Sequence, residues 1–122
     1  MKQKKILIVD DEKDVLLMLE KRLTAKGYFV ITATNGKDAL MLANSKHPDI
    51  IVLDILMPGM DGPEVAARLK ESPRTKDIPV VFLTCLYAKV EESEHGHMVG
   101  DRLIFAKPYN PEELEDTIER LL

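Results

Sequence analysis

Five short apolar runs recur along the chain at helix-length intervals: "ILIV" (6–9), "FVITA" (29–33), "IIVL" (50–53), "VVFL" (80–83) and "LIFA" (103–106). Each is strand-length and mostly β-branched or aromatic. The segments between them carry apolar residues at helical spacing. Val15, Leu16, Leu19 and Leu23 share one helix face, and Gly27 follows as a stop; Ala39, Leu40 and Ala43 form a second face after "NGKD". Val65, Ala66 and Leu69 form a third face, and Leu114, Ile118 and Leu121 the last, where Asn110 is a good cap and Pro111 suits the first helical position. The segment 88–101, "AKVEESEHGHMVGD", is the weak member: it contains Gly96 and spaces only Val90, Met98 and Val99 as apolar residues, so it predicts a short or mobile helix. Alternating strands and helices imply one α/β domain over residues 1–122, a five-stranded parallel sheet with helices on both faces.

The 122 residues suit a single compact domain, with no repeat, linker or low-complexity tail. A formal net charge of −4 argues against a dedicated nucleic-acid surface, which would call for a basic stripe. A single cysteine, Cys85, excludes an internal disulfide and suggests a reducing compartment. The opening "MKQKKILIVD" is basic, but its apolar run is too short for a signal-peptide core, and no run approaches a membrane span. A cytoplasmic protein without membrane insertion is expected.

In a doubly wound sheet, ligands bind beyond the carboxyl ends of the strands, at a switch in strand order. The residues that follow each strand therefore belong together. Asp10 and Asp11 follow the first, Asp54 the third, Thr84 the fourth and Lys107 the fifth. Three neighbouring carboxylates repel one another unless a cation intervenes, and a hard ion such as Mg²⁺ accepts oxygen ligands of this kind. With Lys107 as a fixed positive charge and the Thr84 hydroxyl as a donor, the set suits a dianionic phosphoryl group, whose transfer depends chiefly on positioning and charge neutralisation. An ionised carboxylate can attack phosphorus and form an acyl phosphate. Asp54 is the candidate, because it is central among the strand ends and "MPGMDG" turns the chain away from it.

"ILIVDDE", "IIVLDILMPGMDG", "VVFLT" and "FAKP" together resemble the receiver domain of two-component response regulators, in order and over essentially the whole chain. The likeness is to chemotaxis-regulator-like members. It implies a flavodoxin-like sheet of strand order 2-1-3-4-5 with five helices. It further implies that Asp54 accepts phosphate from a phosphohistidine on a sensor histidine kinase or phosphotransfer protein. Asp11, Asp54 and the backbone carbonyl of Leu56 would ligate Mg²⁺, and Asp10 would complete the acidic pocket, partly through water. Lys107 would hold phosphoryl oxygens, Thr84 would move toward the phosphate, and the Lys107–Pro108 peptide would be cis. A downstream protein partner would read the switched surface, and the chain would assist its own phosphorylation and dephosphorylation without being an enzyme in the ordinary sense.

The sequence departs from the resembled pattern in two places. Where the family has Tyr or Phe, three residues before the lysine, this chain has Ile104; strand alternation points Phe105 to the opposite face. Ile104 is therefore expected to report on Thr84 by packing. Leu56 and Leu86 stand two residues after Asp54 and Thr84, where they offer no hydrogen bond to an attacking water. Shielding of the acyl phosphate and slow self-dephosphorylation follow.

Other readings fit less well. Asp11 suits a plain helix cap, a role compatible with metal binding. An aspartate-nucleophile phosphatase wants a second Asp where Leu56 stands. A nucleotide or flavin binder wants a glycine-rich or hydroxyl-rich loop where "VDDEKD" places acids. His95 and His97 read as polar loop rather than a metal pair, and Cys85 as a small buried filler. A degenerate receiver that binds partners without phosphate is the alternative, against which all five chemical positions are intact. "EDTIERLL" reads as a finished helix and the chain begins at Met, which favours a standalone receiver over a piece of a longer regulator.

Overall fold

The computed structural model describes residues 3–84, 96–99, 102–106 and 110–122. In chain order the elements are β1 (Lys5–Val9), α1 (Lys13–Ala25), β2 (Phe29–Ala33), α2 (Gly36–Lys46), β3 (Ile50–Asp54), α3 (Gly62–Glu71), β4 (Val80–Thr84), β5 (Gly96–Val99), β6 (Arg102–Ala106) and α4 (Pro111–Leu121). One sheet runs β2-β1-β3-β4-β6-β5. Its first five strands are parallel and correspond to the five apolar runs, so the parallel part has the order 2-1-3-4-5 of a flavodoxin-like fold.

Side-chain alternation divides the core into two layers, because successive residues of a strand point to opposite faces. Leu7, Val9, Ile51, Leu53, Phe82 and Ile104 face one way and pack on Ala39 and Ala43 of α2 and on Val65, Ala66 and Leu69 of α3. Ile6, Ile8, Ile50, Val52, Val81, Leu83 and Phe105 face the other way, onto Leu16, Leu19 and Leu23 of α1 and Leu114 and Ile118 of α4. β3 lies at the centre of the sheet, buried along its whole length, which explains its unbroken apolar run. Helix starts follow their caps: Asn35, Asp61 and Asn110 each accept a backbone N–H from three residues on, at 2.8, 2.9 and 3.1 Å. Leu121, expected on the buried face of the last helix, is instead 42% exposed near the helix end.

The helix expected over 88–101 requires correction where it is described. Gly96–Val99 form β5, antiparallel to β6, with Val99 opposite Arg102 and Gly96 opposite Phe105. Gly96 costs a helix about 1 kcal/mol relative to alanine, and extended backbone can instead pair with the outer edge of β6. The described residues accordingly hold four helices rather than five. The remainder of that predicted helix, with Cys85, Leu86 and His95, lies outside them.

One buried charge ties the helices of the second layer together. Glu115 on α4 is 4% exposed, accepts from Arg22 Nε on α1, and has Lys26 Nζ 3.6 Å from its other oxygen. Removing one partner of a buried pair leaves the other charge poorly compensated. Because Arg22 is partly exposed and Lys26 remains, Arg22→Met is expected to cost about 1–2 kcal/mol, less than a fully buried pair would. A lowered urea midpoint at unchanged slope would be the result; an unchanged midpoint would show that Lys26 and solvent suffice.

Candidate functional site

Strand register assembles the acidic site. Val9 lies opposite Leu53, so the next residues, Asp10 and Asp54, leave the sheet side by side. Asp54 is the last residue of β3 and Asp10 N–H bonds to the Ala33 carbonyl at 3.1 Å, continuing the sheet to its edge. Both are buried, at 4% and 0% exposure, while Asp11 is exposed. One carboxylate oxygen from each of Asp10, Asp11 and Asp54 lies within 4.8 Å of the others.

The local backbone explains how these side chains are held. Asp10 Oδ1 accepts the N–H of Glu12 at 2.9 Å, which steadies the turn into α1. The N-cap of α1 is Glu12, without a side-chain cap bond, so the capping role suited to Asp11 is not taken by it. On the other side, Ile55 N–H bonds to the Leu83 carbonyl at 2.8 Å, and Gly62 N–H returns to the Ile55 carbonyl at 2.8 Å. The loop 55–61 is thereby closed at its base. Within it Met57 is buried, while Leu56 is 48% exposed. A Cβ on Gly62 would stand 2.4 Å from the Asp54 carbonyl oxygen and 2.8 Å from Ile55 Cα. Only glycine allows α3 to begin so close to the Asp54 backbone.

The donor set suits Mg²⁺. Its ligands are oxygens at about 2 Å, so opposed ligands lie roughly 4 Å apart, a span the three carboxylates nearly match. Neutralising three crowded carboxylates is what a divalent cation does best. Thr84 ends β4 and pairs with Ala106, the residue before Lys107. Lys107 and the Lys107–Pro108 peptide lie outside the described residues.

The family description of the response regulator receiver domain matches residues 6–119. The chain belongs to that family. The receiver is 40% identical over 120 residues to the probable transcriptional regulator ycf27 of Porphyra purpurea, a match covering 98% of this chain and 48% of that protein. It thus spans about half the length of the curated relatives it matches. Among solved structures, it superimposes on the chemotaxis protein CheY4 of Vibrio cholerae with a TM-score of 0.82 and 33% identity, covering 99% and 100% of the two chains. It also matches the response regulator TrrA of Thermotoga maritima, solved in complex with Mg²⁺ and BeF, with a TM-score of 0.79, 34% identity and coverage of 98% and 100%. The receiver is therefore a two-component signalling domain with a chemotaxis-regulator-like fold. None of the helices among its described residues is long and apolar enough to cross a membrane.

Two features of the site were not read from the sequence. One is the approach of Gly62 to the Asp54 backbone, for which the glycine closing "MPGMDG" was the available signal. The other is the burial of Met57 beside exposed Leu56, which no periodic pattern marks in an irregular loop.

Proposed function

We propose that residues 1–122 form one receiver domain that accepts a phosphoryl group on Asp54 from a phosphohistidine of a sensor histidine kinase or phosphotransfer protein, in the cytoplasm, and so switches a protein-binding surface. The observation that carries this reading is the convergence of Asp10, Asp11 and Asp54 within 4.8 Å at the carboxyl edge of the sheet. An Asp54 oxygen forms a bond to phosphorus as the P–N bond breaks. The electron pair returns to the imidazole ring, which leaves neutral when its other nitrogen carries a proton. Hydrolysis by water later releases inorganic phosphate and regenerates the carboxylate.

Asp10, Asp11, Asp54 and the Leu56 carbonyl would hold Mg²⁺. Bound there, the ion supplies the positive charge that offsets both carboxylates and phosphoryl oxygens. Lys107 would hold the phosphoryl group from another side, and Thr84 would move toward it. Ile104 is buried opposite Phe82 in the register and shares its core layer, a position suited to sensing Thr84 by packing. The downstream partner is a protein that reads the switched face.

The test is incubation with acetyl phosphate, with and without Mg²⁺, followed by intact mass. A gain of one phosphoryl group only with the metal is expected. No gain from this donor or from a cognate kinase would favour phosphate-independent partner binding instead.

Leu56 sets a second expectation. Its half-exposed side chain stands two residues beyond Asp54 and cannot orient a water. Leu56→Asn supplies one hydrogen bond, worth about 1 kcal/mol or a roughly fivefold rate. The phosphorylated variant should lose its phosphate about fivefold faster in a time course by mass. An unchanged lifetime would count against shielding by this residue.

A further inference from the structure

The loop that leaves Asp54 is held at its base by α3, and it is also backed from outside by α2. Gly36 is the first residue of α2 and is buried. A Cβ there would lie 2.7 Å from Val65 Cγ2, 3.0 Å from Met60 Cβ and 3.1 Å from the Met60 carbonyl oxygen. Val65 has a side-chain methyl to move. Met60 has not, because the atoms met are its backbone carbonyl oxygen and its Cβ, which the backbone fixes in place. Gly36 itself is fixed, since Asn35 Oδ1 accepts the Asp38 N–H at 2.8 Å and Asn35 Nδ2 donates to the Asp38 carboxylate at 3.0 Å.

We infer that Gly36 is a positioning residue for the phosphoacceptor, acting through Met60 on the loop that carries Leu56 and begins at Asp54. The route is contiguous. Met60 is followed by Asp61, which caps α3, and then by Gly62, where an added Cβ would meet the Asp54 carbonyl oxygen at 2.4 Å. Close-packed interiors transmit small displacements rather than absorb them. A shift of a few tenths of an ångström at Met60 therefore passes along a loop closed by the Gly62–Ile55 bond, to the Asp54 carboxylate and the Leu56 carbonyl. Misplacement by about 1 Å can cost on the order of 100-fold in a positioned reaction, so a shift of about a third of that should cost roughly fivefold. This inference rests on the phosphoacceptor reading of Asp54 and adds the turn from β2 into α2 to its apparatus.

The experiment compares wild type, Gly36→Ala and Gly36→Ala/Val65→Ala. The double variant removes the Val65 methyl groups, so the packing between α2 and α3 is relieved while the contacts to Met60 remain. Each protein is followed by circular dichroism and melting, by calorimetric titration of the unphosphorylated protein with Mg²⁺, and by the rate of phosphate gain from acetyl phosphate. The expected result is an unchanged helical spectrum, Mg²⁺ affinity lowered about threefold and phosphate gain slowed about fivefold in both variants, with melting partly restored by Val65→Ala. The inference is overturned if Gly36→Ala lowers only the melting temperature, or if Val65→Ala restores Mg²⁺ binding and phosphate gain together with stability. Should the single variant fail to fold, the double variant is compared with Val65→Ala alone, and equal Mg²⁺ affinity and rate overturn it. Wild-type protein that gains no phosphate from acetyl phosphate or from a cognate kinase sinks the phosphoacceptor reading itself, a different result from wild type and variant gaining it equally.

Discussion

Asp54→Ala protein incubated with acetyl phosphate and Mg²⁺ should keep its unmodified mass while wild type gains one phosphoryl group. Removing a nucleophile leaves no alternative bond to phosphorus, so the rate should fall by at least on the order of 1,000-fold. The neighbouring carboxylates are poor substitutes. Asp10 is fully buried and one of its oxygens accepts the Glu12 N–H, and Asp11 is exposed on the turn before α1. The Asp54 backbone lies in β3 opposite Leu83, so alanine can occupy the position without altering the strand pairing. Circular dichroism should therefore show a folded protein, which separates loss of the acceptor from unfolding. A mass gain in this variant would move the acceptor to another residue.

The sheet was legible because its burial is periodic. β3 is apolar on both faces and reads as a continuous run, and Ile104 and Phe105 separate into different core layers as alternation requires. The site was legible for a related reason: in a parallel sheet, residues after the strands meet at one edge, so distant Asp10 and Asp54 could be placed together from sequence. Contacts that depend on a tertiary partner were not legible. Gly96–Val99 pair with an edge that only the folded sheet presents. The same holds for Gly36 and Met60, which belong to different elements and meet only after α2 and α3 have docked. Asp11 shows how local signals compete. Its position suits a cap, yet the turn is held by Asp10 accepting the Glu12 N–H.

Asp10→Asn should make the metal-free domain more stable while weakening Mg²⁺ binding about tenfold, the effect of one charged ligand lost. Asparagine retains an oxygen to accept the Glu12 N–H, so the turn into α1 is preserved. The carboxylate's negative charge is lost. Three carboxylate oxygens within 4.8 Å of one another repel, and without metal that repulsion opposes folding. At an effective dielectric of 20, two unit charges about 4 Å apart repel by about 4 kcal/mol; exposure of Asp11 and solvent screening reduce the recoverable gain to roughly 1–2 kcal/mol. The urea midpoint of Asp10→Asn should rise above wild type in chelator. Adding saturating Mg²⁺ should close most or all of that gap, because the wild type's tenfold tighter binding is worth about 1.4 kcal/mol of extra stabilisation at saturation. A variant less stable than wild type in chelator would mean that Asp10 contributes more through its buried contacts than it costs through repulsion. A variant that binds Mg²⁺ as tightly as wild type would remove Asp10 from the metal site and leave the cation to Asp11, Asp54 and the Leu56 carbonyl.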